Sequence, residues 1–509
     1  MKKSELLATN KTYNDNIDTW NFLLSAYNGG KSFINSVLTK HERETSKNWA
    51  SRAEEGLLYN YSAVVIDLYS FYLTEKSPHR DLGKLQKDTL WNMFIKDCDL
   101  YGTDFDVFIN EAQKIAAACG SVGVLIDKAS ASAVTRASAI KQKIYPYCSL
   151  YTLPNILDWI HTRDPITNRP QLTYIKLRDY YDGRYILWWE NKWEVWKLGD
   201  DDKPVMINSG ENVLGEIPFV WLVNIRNPQD PYIGVSDIKD ISLICASIAR
   251  NISCGEEVIK YAGFPMMRKP MRQEGEEETQ SDVVGQQAVL EFNPEQGEPG
   301  KPDWLEAPIS EPITAILDWI NKKISEVFHM AHLSGIYAHE KSDQVRSGVA
   351  IRYEFQQLTR VLAKKSENLT EAERRIISLW LKWQNQEDLF NPIVINRTKD
   401  FSVDDLSQSL ENNLIAKNIV RSLKFYKELQ KVIARKTLPD LPDTDMDEIA
   451  KEIDAQTELP EDKNKPDTQD GNQDGNQDGN QNGNRITPEN TSEKVADKRN
   501  AEAMKVPKN

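Results

Sequence analysis

Several signatures of catalysis are missing from this sequence. It has no GxxxxGK[ST] phosphate loop, no GxSxG elbow, no HExxH pair and no GxGxxG behind an apolar run. Their absence removes the motif-bearing NTPases, serine hydrolases, zinc proteases and dinucleotide enzymes. Cysteine is scarce: Cys98, Cys119, Cys148, Cys245 and Cys254 are widely spaced and form no CxxC pair, so reduced, buried thiols are expected rather than a disulfide framework. Long apolar runs are lacking too. The most apolar stretch, Tyr61 to Leu73, is interrupted by Asp67 and is too short to span a bilayer. The opening MKKSELLATNKTYNDN has lysines but no apolar segment behind them, and no signal peptide is expected there. Positive charge is in the minority, with 63 Lys and Arg against 77 Asp and Glu and a net charge of -14. A surface that grips phosphates with clustered cations is therefore not predicted, and any contact with nucleic acid should be weak and local.

What is present suits a folded chain of two to four structural units: 509 residues, 40% hydrophobic and 28% charged. Helical patterns run over Asn14 to Leu38, broken at Gly29 and Gly30, then over Trp49 to Leu73 and Thr103 to Ala118. SVGVLIDK, from Ser121 to Lys128, reads as a buried strand. From Gln171 to Arg226 the runs LTYIKLRDYY, RYILWWENKWEVWKL and IPFVWLVNIR alternate like an antiparallel β-meander, with Asp182-Gly183 as a hairpin signal. Trp188, Trp189, Trp193 and Trp196 crowd this region, and packing of sheet on helix accounts for them better than a stacking platform for sugars or bases.

The organising stretch is Ser236 to Gln384. Ile238, Ile241, Cys245, Ile248, Ile252, Ile259 and Ala262 follow three-four spacing, which makes one stripe of a helix with a polar opposite face. Ile313, Leu317, Ile320, Ile324, Val327 and Ala331 repeat it, and each helix should be roughly 36 Å long at about 1.5 Å per residue. Between them lies an insert with GEEE at Gly275 to Glu278, a strand candidate QQAVLEFN and the Pro/Gly-rich PEQGEPGKP. After the polar turn GIYAHEKSDQVRSG, a much longer helix carries Ile351, Phe355, Leu358, Leu362, Leu369, Ile376, Leu379 and Trp383, with Ser347 as its expected N-cap. PIVINR follows as a strand candidate, then helices from Val403 to Lys436 and from Asp445 to Ala455. Beyond about Gln456 the chain is polar and contains QDGNQDGNQDGNQNGN. Such a tract cannot bury enough surface to offset its ordering entropy, so a disordered tail is expected, and its repeat lacks the spacing of a calcium loop.

His329, His332 and His339, with Glu340, are the only cluster resembling metal ligands. Two imidazoles one turn apart share a face, but no carboxylate stands on the same turn. A metal-dependent hydrolase using these histidines is one alternative function, and a helical adaptor is another. Two helices each apolar on one stripe would be covered best by repetition in a ring.

The order of parts resembles the portal proteins of tailed bacteriophages. LGEIPFVWLVN before GVSDIKDIS, the Phe264-Pro265 pair closing the first hairpin helix, and HLSGIYAHEKSDQVRSGVAIRYEF joining the second to the long helix look like the corresponding portal segments. The resemblance implies an α+β, mainly helical fold in a ring oligomer. Its parts would be a mixed α/β wing (1–235, with the meander at 171–226), stem helices (236–264 and 309–335), and a small α/β clip (265–308). A tunnel loop (336–346), a spine helix with return to the wing (347–400), a helical crown (401–455) and the tail (456–509) would complete it. It implies a dodecamer at one capsid vertex of the virion, assembled in the host cytoplasm, through which double-stranded DNA is packaged and ejected without sequence preference. Implied partners are the terminase large subunit, the major capsid and scaffold proteins and a head-tail adaptor. No catalytic residue, metal, cofactor or membrane contact is expected. The tunnel loop would bring Tyr337, His339, Lys341, Gln344 and Arg346 to DNA, and Lys322 and Lys323 would form positive rings in the stem. Arg268, Lys269, Arg272, Glu276, Glu277 and Glu278 would dock the motor and adaptor at the clip. A mostly acidic lumen relieved by sparse cations would let DNA slide, since each phosphate held adds salt-dependent affinity.

Overall fold

The computed structural model describes residues 1–457 except 43, 130–134, 180, 264–265, 271–288, 293–302, 306–309, 335–347, 392, 400, 402–421, 439–440 and 442. The chain divides into two compact units, Met1–Val403 and Asp404–Asn509.

The first unit opens with helices α1 (Lys3–Leu7), α2 (Lys11–Asn28), α3 (Gly30–Val37), α4 (Ser46–Glu55) and α5 (Tyr61–Thr74). Asn10, Thr45 and Asn60 cap three of them by accepting backbone N–H groups, the role their short polar side chains serve at helix starts. Strand β1 (His79–Asp81) and α6 (Thr89–Lys96) lead to α7 (Phe105–Cys119), which stops at Gly120, where φ is +101°. A Cβ at Gly120 would stand 2.2 Å from the carbonyl oxygen of Gly234, so glycine alone fits this close backbone crossing. Strand β2 (Ser121–Asp127) follows, buried over nearly its whole length, then α8 (Arg136–Gln142) and β3 (Tyr147–Thr152).

Strands β4 (Ile156–Arg163), β5 (Pro170–Arg178), β6 (Tyr185–Trp189), β7 (Lys192–Leu198) and β8 (Pro204–Glu211) form a five-stranded antiparallel sheet in chain order. The meander thus starts earlier than the sequence pattern indicated and breaks RYILWWENKWEVWKL into two strands at Glu190 and Asn191. Strand β9 (Phe219–Val223), expected in the same meander, pairs instead with β2 in a separate three-stranded sheet, β3-β2-β9. Alternation marks a strand, while its sheet is chosen by distant partners. One edge of the meander is sealed: the Asn10 backbone donates to Leu157 O at 3.0 Å and its side chain to Trp159 O at 3.0 Å. At the other edge β8 has no second strand among the described residues and exposes Val205, Met206 and Ile207.

After β9 come α9 (Ile241–Gly263), the short strands β10 (Met266–Pro270), β11 (Val289–Phe292) and β12 (Asp303–Leu305), and α10 (Ser310–Met330). β10 lies between its partners, parallel to β11 and antiparallel to β12. The longest helix, α11 (Gly348–Trp383), then runs back to β13 (Val394–Asn396), which pairs with β1. Trp91, Phe94, Phe105 and Trp380 form the aromatic centre of the core, with Trp91 edge-on to Trp380 at 5.0 Å.

In the second unit, α12 (Leu423–Thr437) packs on α13 (Asp443–Ala455). Lys431 reaches both Glu428 and Asp454, and Lys427 donates to the Asp454 carbonyl at 2.7 Å. The tail and its QDGN repeat lie outside the described residues.

Candidate functional site

The hairpin of α9 and α10 is antiparallel, and two contacts fix its register. Lys323 Nζ donates to Ser247 Oγ at 2.7 Å, and a Cβ at Gly255 would come within 3.6 Å of Ile316. Ile320, Ile324, Val327, Phe328 and Ala331 of α10 are buried, and the sector opposite them, with Glu311 and Lys322, is exposed. α9 differs from its sequence-based reading. Besides the stripe of Ile241, Cys245, Ile248 and Ile252, its Ala246 and Ala249 pack on Phe33 and Val37 of α3. Small residues let α3 come close on the face read as polar, which leaves the sector of Leu243, Ser247 and Arg250 open along the first half of the helix. Farther on Ile259, expected on the apolar stripe, is exposed, because the covered stripe ends near Ile252.

A buried polar network holds the end of the hairpin where α9 begins and α10 finishes. Lys365 of α11, 2% exposed, donates to Asn224 Oδ1 and Asp237 Oδ2, both at 2.5 Å. Asp237 lies just before α9, and its N–H is bonded to Ala117 O at 2.9 Å; neighbouring Ser236 Oγ donates to Ala118 O at 2.6 Å. The Lys365 ammonium sits 5.2 Å over the ring of Tyr69, whose hydroxyl donates to Ala331 O at 2.6 Å, at the end of α10. Burial lowers the pKa of Lys365, with the Asp237 carboxylate opposing that fall. Burial also raises the pKa of Tyr69, and Asp237 adds to the rise. One cation therefore ties the start of α9, the end of α10 and the middle of α11 to a single point.

Two further ion clusters fasten the surroundings. Glu373 of α11, wholly buried, accepts from Arg80 on β1 and from Arg397 beyond β13, the latter at 2.5 Å. On the other side Arg52 of α4 pairs with Glu44 at 2.7 Å, donates to Ser253 Oγ of α9 at 3.2 Å, and stands 3.5 Å from Glu257. Its guanidinium holds the Glu44 carboxyl down to about 2. Lys260 pairs with Glu55 beside it.

Of the residues picked from sequence, the two lysines of α10 divide. Lys322 points away from α9, exposed and paired, among the described residues, with Glu326 of its own helix at 2.8 Å. Lys323 is turned toward α9; partial burial, and then Arg250, lower its pKa, and its ammonium lies 5.2 Å from the Trp319 ring. Arg268 and Lys269 stand on β10, in register with Leu290 and Glu291. Arg272, Glu276, Glu277, Glu278 and the loop residues Tyr337, His339, Lys341, Gln344 and Arg346 lie outside the described residues. His329 Nδ1 lies 3.5 Å from Ser334 Oγ, His332 has φ +56°, and among the described residues no three His, Cys, Asp or Glu are grouped to hold a metal. Sequence reading missed Lys365, Asp237 and Glu373. The available signal was a charge on an apolar stripe: Lys365 follows Leu358 and Leu362 at helical spacing, as Glu373 follows Leu369.

Comparison with known proteins gives one family. The model described as "Phage portal protein, SPP1 Gp6-like" matches residues 161–459. No curated protein matches the chain. Two solved structures are similar at 10% identity. One, a chain of "Virion of native gene transfer agent (GTA) particle", has a TM-score of 0.43 over 81% of this chain and 93% of its own. The other, from "Neck of empty GTA particle computed with C6 symmetry", has 0.42 over 76% and 94%.

Proposed function

The chain belongs to the SPP1 Gp6-like phage portal proteins, a structural rather than an enzymatic family of the virion, and from that premise we propose that it forms the DNA channel at one capsid vertex. The observation that carries this reading is the family match, which spans the hairpin, the long helix and the helices beyond it. In the proposal, twelve copies stand as staves of a ring, with double-stranded DNA passing in during packaging and out during ejection. The insert holding β10, β11 and β12 docks the terminase large subunit and later the head-tail adaptor, and the outer body meets capsid and scaffold proteins. No cofactor takes part.

The hairpin supports a ring, because Leu243, Leu317, Trp319 and Met330 are exposed apolar side chains on its outer surfaces. Lys322 is the better of the two lysines for a lumenal ring, since Lys323 is engaged with Ser247. Twelve copies would set sparse cations in an acidic wall, which limits the number of phosphates held at once and so the friction on moving DNA. The loop residues Tyr337, His339, Lys341, Gln344 and Arg346 keep their proposed place beside the duplex. Electron microscopy and native mass spectrometry of the purified protein test the reading. Twelve-fold rings with a central hole are expected; a monodisperse monomer under every assembly condition would overturn it.

A further inference from the structure

Helix α10 carries two unlike flanks on either side of the stripe that faces α9. On one, Trp319, Lys323, Glu326 and Met330 recur at helical spacing, and Trp319 is 56% exposed. Beside it on α9 stand Leu243, 58% exposed, and Arg250, whose guanidinium donates to the Val37 carbonyl at 3.3 Å. Neither Lys323 nor Arg250 has a carboxylate partner among the described residues, although they stand close enough for Arg250 to disfavour the charge on Lys323. On the opposite flank Thr314, Asp318, Asn321 and Ser325 recur at the same spacing, with Leu317, 54% exposed, next to them. Asp318 has no cation partner among the described residues.

The flanks complement each other in two respects. One offers a large aromatic and two cations without a counter-ion, the other an exposed leucine and an unpaired carboxylate. Pairing like with like in a two-fold dimer would set Lys323 and Arg250 against their own copies, which is repulsive. Pairing unlike flanks joins head to tail, the arrangement that closes into a ring. This rests on the ring reading above and gives it a seam. We propose that the Trp319 flank of one copy seats the Leu317 flank of the next, with Trp319 against Leu317 and with Asp318 entering between Lys323 and Arg250. The occupant is thus a second copy of this chain, and Trp319 is the anchor, the residue type that most often dominates such contacts.

Ring assembly of the full chain tests the seam, read by native mass spectrometry over a concentration series. Trp319→Ala removes an exposed side chain, so its far-UV circular dichroism should match wild type while each contact weakens about thirty-fold and rings give way to monomer. Asp318→Lys and Lys323→Glu should each abolish rings. The double variant, which restores opposite charges across every seam, should regain them. Rings that form unaltered in all three single variants, or a double variant no better than its parents, would overturn the pairing and leave these flanks to a different partner. Failure of the wild-type chain to form rings would instead overturn the ring reading itself.

Discussion

Replacing Lys365 with methionine isolates the point where three helices are joined. Methionine keeps the length and much of the volume, so lost packing contributes little and the ammonium is the main loss. It leaves Asp237 and Asn224 buried with their acceptors unanswered, where Lys365 had met both at 2.5 Å. Removing one partner of a buried pair costs about 3–5 kcal/mol, far more than the roughly 0–1 kcal/mol of an exposed one. With about 2.1 cal/mol/K of unfolding entropy per residue, that lowers the midpoint of the first unit by about 4–6 °C. The assay is differential scanning calorimetry of Lys365→Met, Asp237→Asn and the double variant. The double variant removes both charges and should recover at least half of the loss, because nothing charged is left stranded. Hydrogen exchange should show faster opening at the ends of α9 and α10, since Tyr69 loses the cation over its ring while holding Ala331. A single variant costing under about 1 kcal/mol, or a double variant as poor as the sum of its parents, would refute the view that the pair acts as one buried unit.

Two further predictions concern the first unit. His161 stacks on Tyr232 with centroids 3.6 Å apart, and burial holds its imidazole down to about 4, so it is neutral in the fold when the unfolded chain is already charged. The unfolded state gains a proton first as the pH falls below 6.5, so stability should decline from there to about pH 4 and then level off. His161→Phe should flatten that slope in pH-dependent melting, and an unchanged slope would refute the assignment. Gly120→Ala should cost more than about 2 kcal/mol in urea unfolding, because positive φ and the Gly234 carbonyl both resist a Cβ. Gly215→Ala, at φ +68° with nothing nearby, should cost only the backbone strain, and equal losses would show that the crossing at Gly234 is not tight.

The sequence was most legible where period and burial agree. The stripes of α10 and α11 are legible over most of their length, although Leu317, assigned to the α10 stripe by its spacing, is exposed because it sits at the edge of the covered face. The charge on such a stripe, as at Lys365, was also visible in principle. Strand β9 was legible as a strand but not as a partner of β2, since register between positions far apart depends on tertiary packing rather than on alternation. Strand β8 escaped notice because an edge strand exposed on both faces has weak alternation. The second face of α9 was obscure because alanine carries little hydropathy signal while being the residue that allows α3 to approach. Trp319 drew no attention as one apolar residue off the stripe, and only its exposure beside two cations singled it out.

The buried pair also constrains how the gene can drift. Lys365 and Asp237 are 128 positions apart, and neither can be exchanged alone without stranding the other. A lineage that replaces the lysine with an apolar residue must pass through a weakened intermediate or lose the aspartate's charge at nearly the same step. Across descendants the two positions should therefore be inherited as one character, both charged or both neutral.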